Sequence, residues 1–199
     1  GSNNSSYYFD GNNDRISLPS FGTMNSLSIS VRVNPYSDDP DNGQAVMGSV
    51  GFWESGDIHW SIAPVGTVVA VASSYFTLPK SWDELGVSGL NNWMHLLYTA
   101  EKGSSAKIFG NGVMIDEGDI NIGIDMSHIA IGYNHNGLRY FHGLIDDVRI
   151  YDRALTEAEI GRLYVEGMPD TDGDGLPDAY EQGPGRFFPV TESMTWEAA

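Results

Sequence analysis

Five carboxylates crowd into twelve residues, Asp170-Thr171-Asp172-Gly173-Asp174-Gly175-Leu176-Pro177-Asp178-Ala179-Tyr180-Glu181. They occupy positions 1, 3, 5, 9 and 12 of the pattern D-x-[DN]-x-[DN]-G-x5-E, with glycine at position 6. Side chains so close repel one another unless a divalent cation lies among them. The spacing predicts a calcium loop in which Asp170, Asp172, Asp174, Asp178 and Glu181 offer carboxylate oxygens. Leu176 adds its backbone carbonyl, and Gly175 makes the sharp turn. The plain alternative is an acidic, solvated linker.

A second set of residues has the chemistry of sugar recognition, which needs flat apolar rings and a few directional hydrogen-bonding groups. Trp53, Trp60, Tyr75, Phe76 and Trp82 lie in the central region, with Glu54, Asp57 and His59 between them. Tyr133, Asn134, His135, Asn136, Arg139 and Tyr140 form a polar and aromatic run further on. Trp53, Trp60, Trp82, Tyr133, His135 and Arg139 are the candidate ligand-binding residues. Core packing is the competing use for any one of these rings, and Trp93 in particular is expected inside.

Catalysis finds little support. The five histidines show no H-E-x-x-H spacing, and no serine has a nucleophile-elbow context. Asp83-Glu84 and Asp116-Glu117-Gly118-Asp119 read as acidic turns. The chain is expected not to be an enzyme.

These residues need a frame, and the frame reads as all-β. Leu27, Ile29, Val31 and Val33 alternate with polar neighbours from Ser26 to Asn34, the period of a strand with one buried face. Similar runs cover 44–51, 58–63, 67–73, 94–100, 106–109, 113–117, 129–133 and 144–151. Asn42-Gly43, Asn111-Gly112 and Asn136-Gly137 supply turns between them. Many short strands followed by one helical segment, 156–166, predict a two-sheet antiparallel sandwich. Gly167 and Pro169 end that helix.

Composition narrows the setting. A chain of 199 residues, 41% apolar, can bury one good core. It has no cysteine, so disulfides and thiol chemistry are excluded. Against 10 basic residues stand 27 acidic ones, a formal charge of −17. That charge disfavours nucleic acid and anionic membranes, and no apolar run is long enough to insert into a bilayer. Gly1-Ser2 reads as a cloning remnant, so an export signal would have been removed before it.

Several of these segments resemble known families. Tyr8-Phe9-Asp10-Gly11-Asn12-Asn13-Asp14-Arg15-Ile16 and Asn92-Trp93-Met94-His95-Leu96-Leu97-Tyr98 are similar to strands of laminin G modules. Phe141-His142-Gly143-Leu144-Ile145-Asp146-Asp147-Val148-Arg149-Ile150-Tyr151-Asp152-Arg153-Ala154-Leu155 resembles the closing signature of the bacterial laminin G type 3 family. The resemblance implies a concanavalin A-like jelly roll over residues 7–167, with a curved inner sheet and a short C-terminal helix. The superfamily's glycosidases use an E-x-D-x-x-E strand, which this chain lacks. Asp170 to Glu181 resembles a thrombospondin type 3 calcium repeat, implying a stiff calcium linker over 168–183. Residues 184–199, with Met194-Thr195-Trp196-Glu197-Ala198-Ala199, resemble the start of a C-type-lectin-like domain. Residues 1–6 are a tag scar and lead.

Strict alternation in the closing strand puts Asp146 in phase with Leu144, Val148 and Ile150, where a carboxylate needs compensation. Two readings stay open. One is a second calcium ion held by Asp10, Asp14, Asp146 and carbonyls around Gly11 and Asn13, near positions the family uses. The other pairs Asp146 with Arg15 or Arg149 and leaves Asp10 in an Asx-turn.

Together these readings predict a monomeric, calcium-binding module, secreted or on the cell surface, in a larger bacterial protein. Its expected partners are carbohydrate or another extracellular ligand, and neighbouring domains of the same parent chain. A purely structural spacer with no ligand of its own is the alternative.

Overall fold

The computed structural model describes residues 6–36, 44–51, 54–63, 66–71, 90–133 and 139–166. Among these, the strands run β1 (Tyr7–Asp10), β2 (Ile16–Ser17), β3 (Thr23–Met24), β4 (Ser26–Pro35), β5 (Gln44–Ser49), β6 (Ile58–Ala63) and β7 (Gly66–Val71). They continue as β8 (Met94–Glu101), β9 (Ser104–Gly110), β10 (Val113–Ile120), β11 (Ile124–Asp125), β12 (Ile129–Ile131) and β13 (His142–Tyr151), before helix α1 (Glu157–Glu166). A six-stranded sheet has the order β1-β13-β4-β8-β9-β10, and a five-stranded one β2-β12-β5-β6-β7. All pairings are antiparallel. The small pair β11-β3 stands apart from both.

The predicted sandwich is the fold observed. Leu27, Ile29, Val31 and Val33 of β4 are buried in one core cluster with Met47, Ile58 and Ile129 of the other sheet. The turn between β9 and β10 is the expected Asn111-Gly112, both at positive φ (50° and 77°), as a type I′ turn requires. Strands β2, β3 and β11 have two residues each, too short for a periodicity to reveal.

Two expectations are corrected here. Trp60 was a candidate ligand-binding residue, but it is fully buried in the core cluster. Its neighbours Ile58 and Ile62, at the same parity of β6, are buried with it, so the alternation of the strand decides its fate. Trp93, expected inside, is 43% exposed. It precedes Met94, and Met94, Leu96 and Tyr98 take the inward positions of β8.

The closing strand departs from strict alternation. Asp146 lies opposite Arg32, while Arg149 lies opposite Ser30, so three steps on β13 match two on β4. The extra residue is a bulge at Asp147, whose φ is +50°. Before the bulge Ile145 is buried, and after it Val148 and Ile150 pack against the core. Asp146 therefore shares its parity with half-buried Leu144 and not with the core residues. The bulge carboxylate does the pairing instead. Arg149 Nε donates to Asp147 Oδ1 at 2.9 Å and Nη2 to Oδ2 at 3.1 Å, with Arg32 Nε 4.0 Å from Oδ2.

The outward face of β4 and β8 carries buried polar pairs. Ser28 Oγ donates to Thr99 Oγ1 at 2.8 Å, and Ser30 Oγ lies 2.8 Å from His95 Nε2. The chain forms two compact units, Gly1–Ala154 and Leu155–Ala199. In the second, α1 starts with a reciprocal cap. The Thr156 N–H donates to Glu159 Oε2 at 2.9 Å and the Glu159 N–H to Thr156 Oγ1 at 3.4 Å. Among the described residues no helix is long and apolar enough to cross a membrane.

Two measurements check this packing. Trp60→Ala should lower stability by about 3–5 kcal/mol, read from the denaturant midpoint; a loss below about 1 kcal/mol would place the indole outside the core. Burial, reinforced by Arg32, pushes the His95 pKa down from 6.5 to about 3. The unfolded chain thus binds a proton between those values that the folded chain refuses. This contribution to stability is complete above pH 6.5 and is lost at about 1.4 kcal/mol per pH unit below it, until about pH 3. Between pH 7 and 5 the wild type should lose about 2 kcal/mol more than His95→Gln; parallel profiles would contradict the assignment.

Candidate functional site

The outward face of the five-stranded sheet has a floor of small side chains. Register places Ser17 opposite Ala130, Ala130 opposite Gly48, and Gly48 opposite His59. Ala45 lies opposite Ser61 in the next row. Because Trp60 points into the core, its strand neighbours His59 and Ser61 must point out.

Arg139 reaches this floor from the segment before β13. Its Nη1 is 3.4 Å from His59 Nε2, and Ser61 Oγ hydrogen-bonds the same nitrogen. A guanidinium can only donate, so His59 Nε2 accepts and the ring proton belongs on Nδ1. Arg139 Nε is buried and has no hydrogen-bond partner among the described residues.

Tyr133 and Tyr140 stand beside one another, with ring centroids 5.3 Å apart and planes at 53°. Arg15, just before β2, holds its guanidinium carbon 5.1 Å from the centre of the Tyr133 ring, a cation–π contact. Gly132 sets this corner. Its N–H donates to Val46 O at 2.9 Å, its carbonyl accepts from Phe141 N–H at 3.0 Å, and its φ is +76°. A Cβ there would lie 2.4 Å from Phe9 Cε1. Only glycine lets the chain pass the Phe9 ring and turn out to Tyr133.

Of the six candidate ligand-binding residues, Tyr133 and Arg139 belong to the two ends of one connection, Tyr133 buried and Arg139 half-buried. Trp60 is in the core, and Trp53, Trp82 and His135 lie outside the described residues. So do Asp170, Asp172, Asp174, Leu176, Asp178 and Glu181 of the calcium loop. His59 and Ser61 gain their place from Arg139, a long-range contact with no local sequence signal beyond outward parity in β6.

The second calcium set is only partly brought together. Asp10 N–H donates to Asp14 Oδ2 at 2.9 Å, and Asn12 N–H donates to Asp10 Oδ1 at 2.8 Å. The Asn12 backbone bond is the main reason the Asp10 carboxyl titrates below its ordinary range. This is the Asx-turn of the plainer reading. Asp146 does not join it. Asp10 lies opposite His142, and Asp146 is four residues further along β13, about 13 Å at the usual strand rise. One ion with ligand distances of about 2.3–2.6 Å cannot bridge that span. Among the described residues no group of three or more histidine or carboxylate side chains could hold a metal.

The comparisons with known proteins agree with this architecture. Domain 4 of AbnA, a GH43 extracellular arabinanase from Geobacillus stearothermophilus in complex with arabinotriose, is similar with a TM-score of 0.64 and 22% identity, over 82% of this chain and 78% of that one. A heptameric SAP-like pentraxin from Limulus polyphemus gives 0.60 and 14%, over 79% and 80%. The serotype D botulinum neurotoxin ligand binding domain, in complex with N-acetylneuraminic acid, gives 0.66 and 16%, over 81% of this chain and 42% of its own. At these identities the likeness is one of fold. No curated protein matches the chain. The laminin G type 3 family, described as the concanavalin A-like lectin/glucanases superfamily, matches residues 10–161. With its two antiparallel sheets, its closing strand and three quarters of its length accounted for, the chain belongs to that family.

Proposed function

We propose that this is a non-catalytic carbohydrate-recognition module of a secreted or surface-attached modular protein. Arg139 carries the reading: a half-buried guanidinium set beside His59 and Ser61 on a floor of small side chains. Sugar hydroxyls suit such a donor, and the half-buried Tyr140 ring beside it offers some apolar surface, while Tyr133 is itself buried. The arabinotriose and N-acetylneuraminic acid complexes of similarly folded proteins support the ligand class without fixing the sugar.

The spacer reading has an observation in its favour. Ala45, Ala130, His59 and Ser61 are all buried, so the floor is not an open trough. Binding and structure then predict different results for one substitution. Arg139→Ala should weaken binding to a cognate neutral polysaccharide at least tenfold, about 1.4 kcal/mol, with little change in midpoint of unfolding. A stability loss with no polysaccharide bound by either protein would support the spacer.

Calcium belongs to the same proposal. The 170–181 loop is supported by its carboxylate spacing, and the ion would stiffen the connection to a following domain. Asp10 and Asp14 would need the carbonyls of Gly11 and Asn13 to complete a set, without Asp146. Calorimetric titration of the wild type and Asp174→Ala should differ by one calcium equivalent. Equal stoichiometry would remove the loop site.

A further inference from the structure

A second aromatic surface lies on the opposite face of the sandwich, where the six-stranded sheet turns outward. Tyr8 is opposite Leu144, and Leu144 is opposite Asn34. Trp93 comes just before Met94, whose partner is Val33, so it continues the row beside Asn34. The neighbouring row holds Asp10, His142 and Tyr36, with the Tyr36 N–H donating to His142 O at 2.9 Å. Tyr8 is 56% exposed, Trp93 43% and Tyr36 36%.

The rings support one another in place. Tyr8 and Tyr36 centroids are 6.1 Å apart, and His142 stands 5.8 Å from Tyr36 and 6.4 Å from Tyr8 at steep angles. From Tyr8 to Trp93 is three strand spacings, about 14 Å, the reach of a short oligosaccharide. Asn34 Oδ1 in the middle of the row is buried and has no hydrogen-bond partner among the described residues, so a ligand donor would reach it only if the side chain turned outward.

We propose that this face is a second glycan-binding surface, on which Tyr8, Tyr36 and Trp93 stack against the rings of a neutral polysaccharide. Its charge sets the class. Asp10 and Asp14 stand at the Tyr8–Tyr36 end of the platform, whereas Asp146 lies opposite Arg32 further along, so the tyrosine end disfavours uronate or sulfated chains. The composition of the surface suits sugar better than a protein interface. Its large exposed groups are amphipathic rings with polar atoms between them, where a protein-binding core would be more continuously apolar. This inference shares the carbohydrate reading above but uses different residues. With two faces engaged, the module could hold two polysaccharide strands, or gain avidity on one surface.

Affinity electrophoresis of the full chain through gels containing neutral polysaccharides tests it, with an anionic pectic chain as control. Tyr8→Ala/Trp93→Ala, Arg139→Ala and the triple variant are compared, with near-ultraviolet circular dichroism to confirm folding. The double variant should lose about tenfold in affinity, Arg139→Ala should keep the share carried by the platform, and the triple variant should run unretarded. A folded double variant that binds as the wild type does overturns this inference and leaves the Arg139 site standing. If the wild type binds none of the polysaccharides, both fail. A dimer that depends on Tyr8 and Trp93 in sedimentation, without glycan binding, would make the patch a protein interface and also overturn it.

Discussion

A strand can give only every second side chain to the space between two sheets, and that space is filled here. Met47, Trp60, Ile129 and Ile131 from one sheet meet Ile29, Val31, Leu96 and Tyr98 from the other. Whatever the module recognises must therefore meet the outward set. On the five-stranded sheet that set is small and polar around His59, Ser61 and Arg139. On the six-stranded sheet it is aromatic at one end, with Tyr8, Tyr36 and Trp93. The same alternation that builds the core thus divides the chemistry between two faces.

Rigidity follows from how the corners are made. Gly132 turns beneath Phe9, whose ring packs edge-on to Phe141 with centroids 6.0 Å apart. This fixes both ends of the connection that carries Tyr133 and Arg139. At the Asp147 bulge, the carboxylate closes on Arg149 within the same strand. The strand can then change the parity of its inward side chains without leaving a charge unpaired, and Val148 and Ile150 still reach the core. A bulge here is part of the fold's plan, because strict alternation would have turned those two residues out.

Most of the sandwich was legible in the sequence, since its long strands alternate and its β9–β10 turn uses Asn-Gly. The closing signature and the Trp93-Met94-His95 segment pointed to the family that the chain belongs to. The site was legible only in part. Arg139 and Tyr133 were singled out by residue type, and the structure sets Arg139 beside His59 but buries Tyr133; Trp60 was misread because a tryptophan looks the same in a core and in a binding face. Only its parity with Ile58 and Ile62 tells them apart. Asp146 was misplaced because the bulge at Asp147 leaves no mark in the sequence. Tyr8, Tyr36 and His142 lie far apart in the chain and meet only through the pairing of β13 with β1 and β4, so no local pattern could announce them.

Recognition of neutral carbohydrate by this fold is directly measurable. The direct measurement is a polysaccharide binding screen of the full chain, run with calcium and with chelator. Retention by at least one neutral polysaccharide, with anionic chains passing unretarded, is the expected result. A folded protein that binds no neutral polysaccharide in either condition would contradict it.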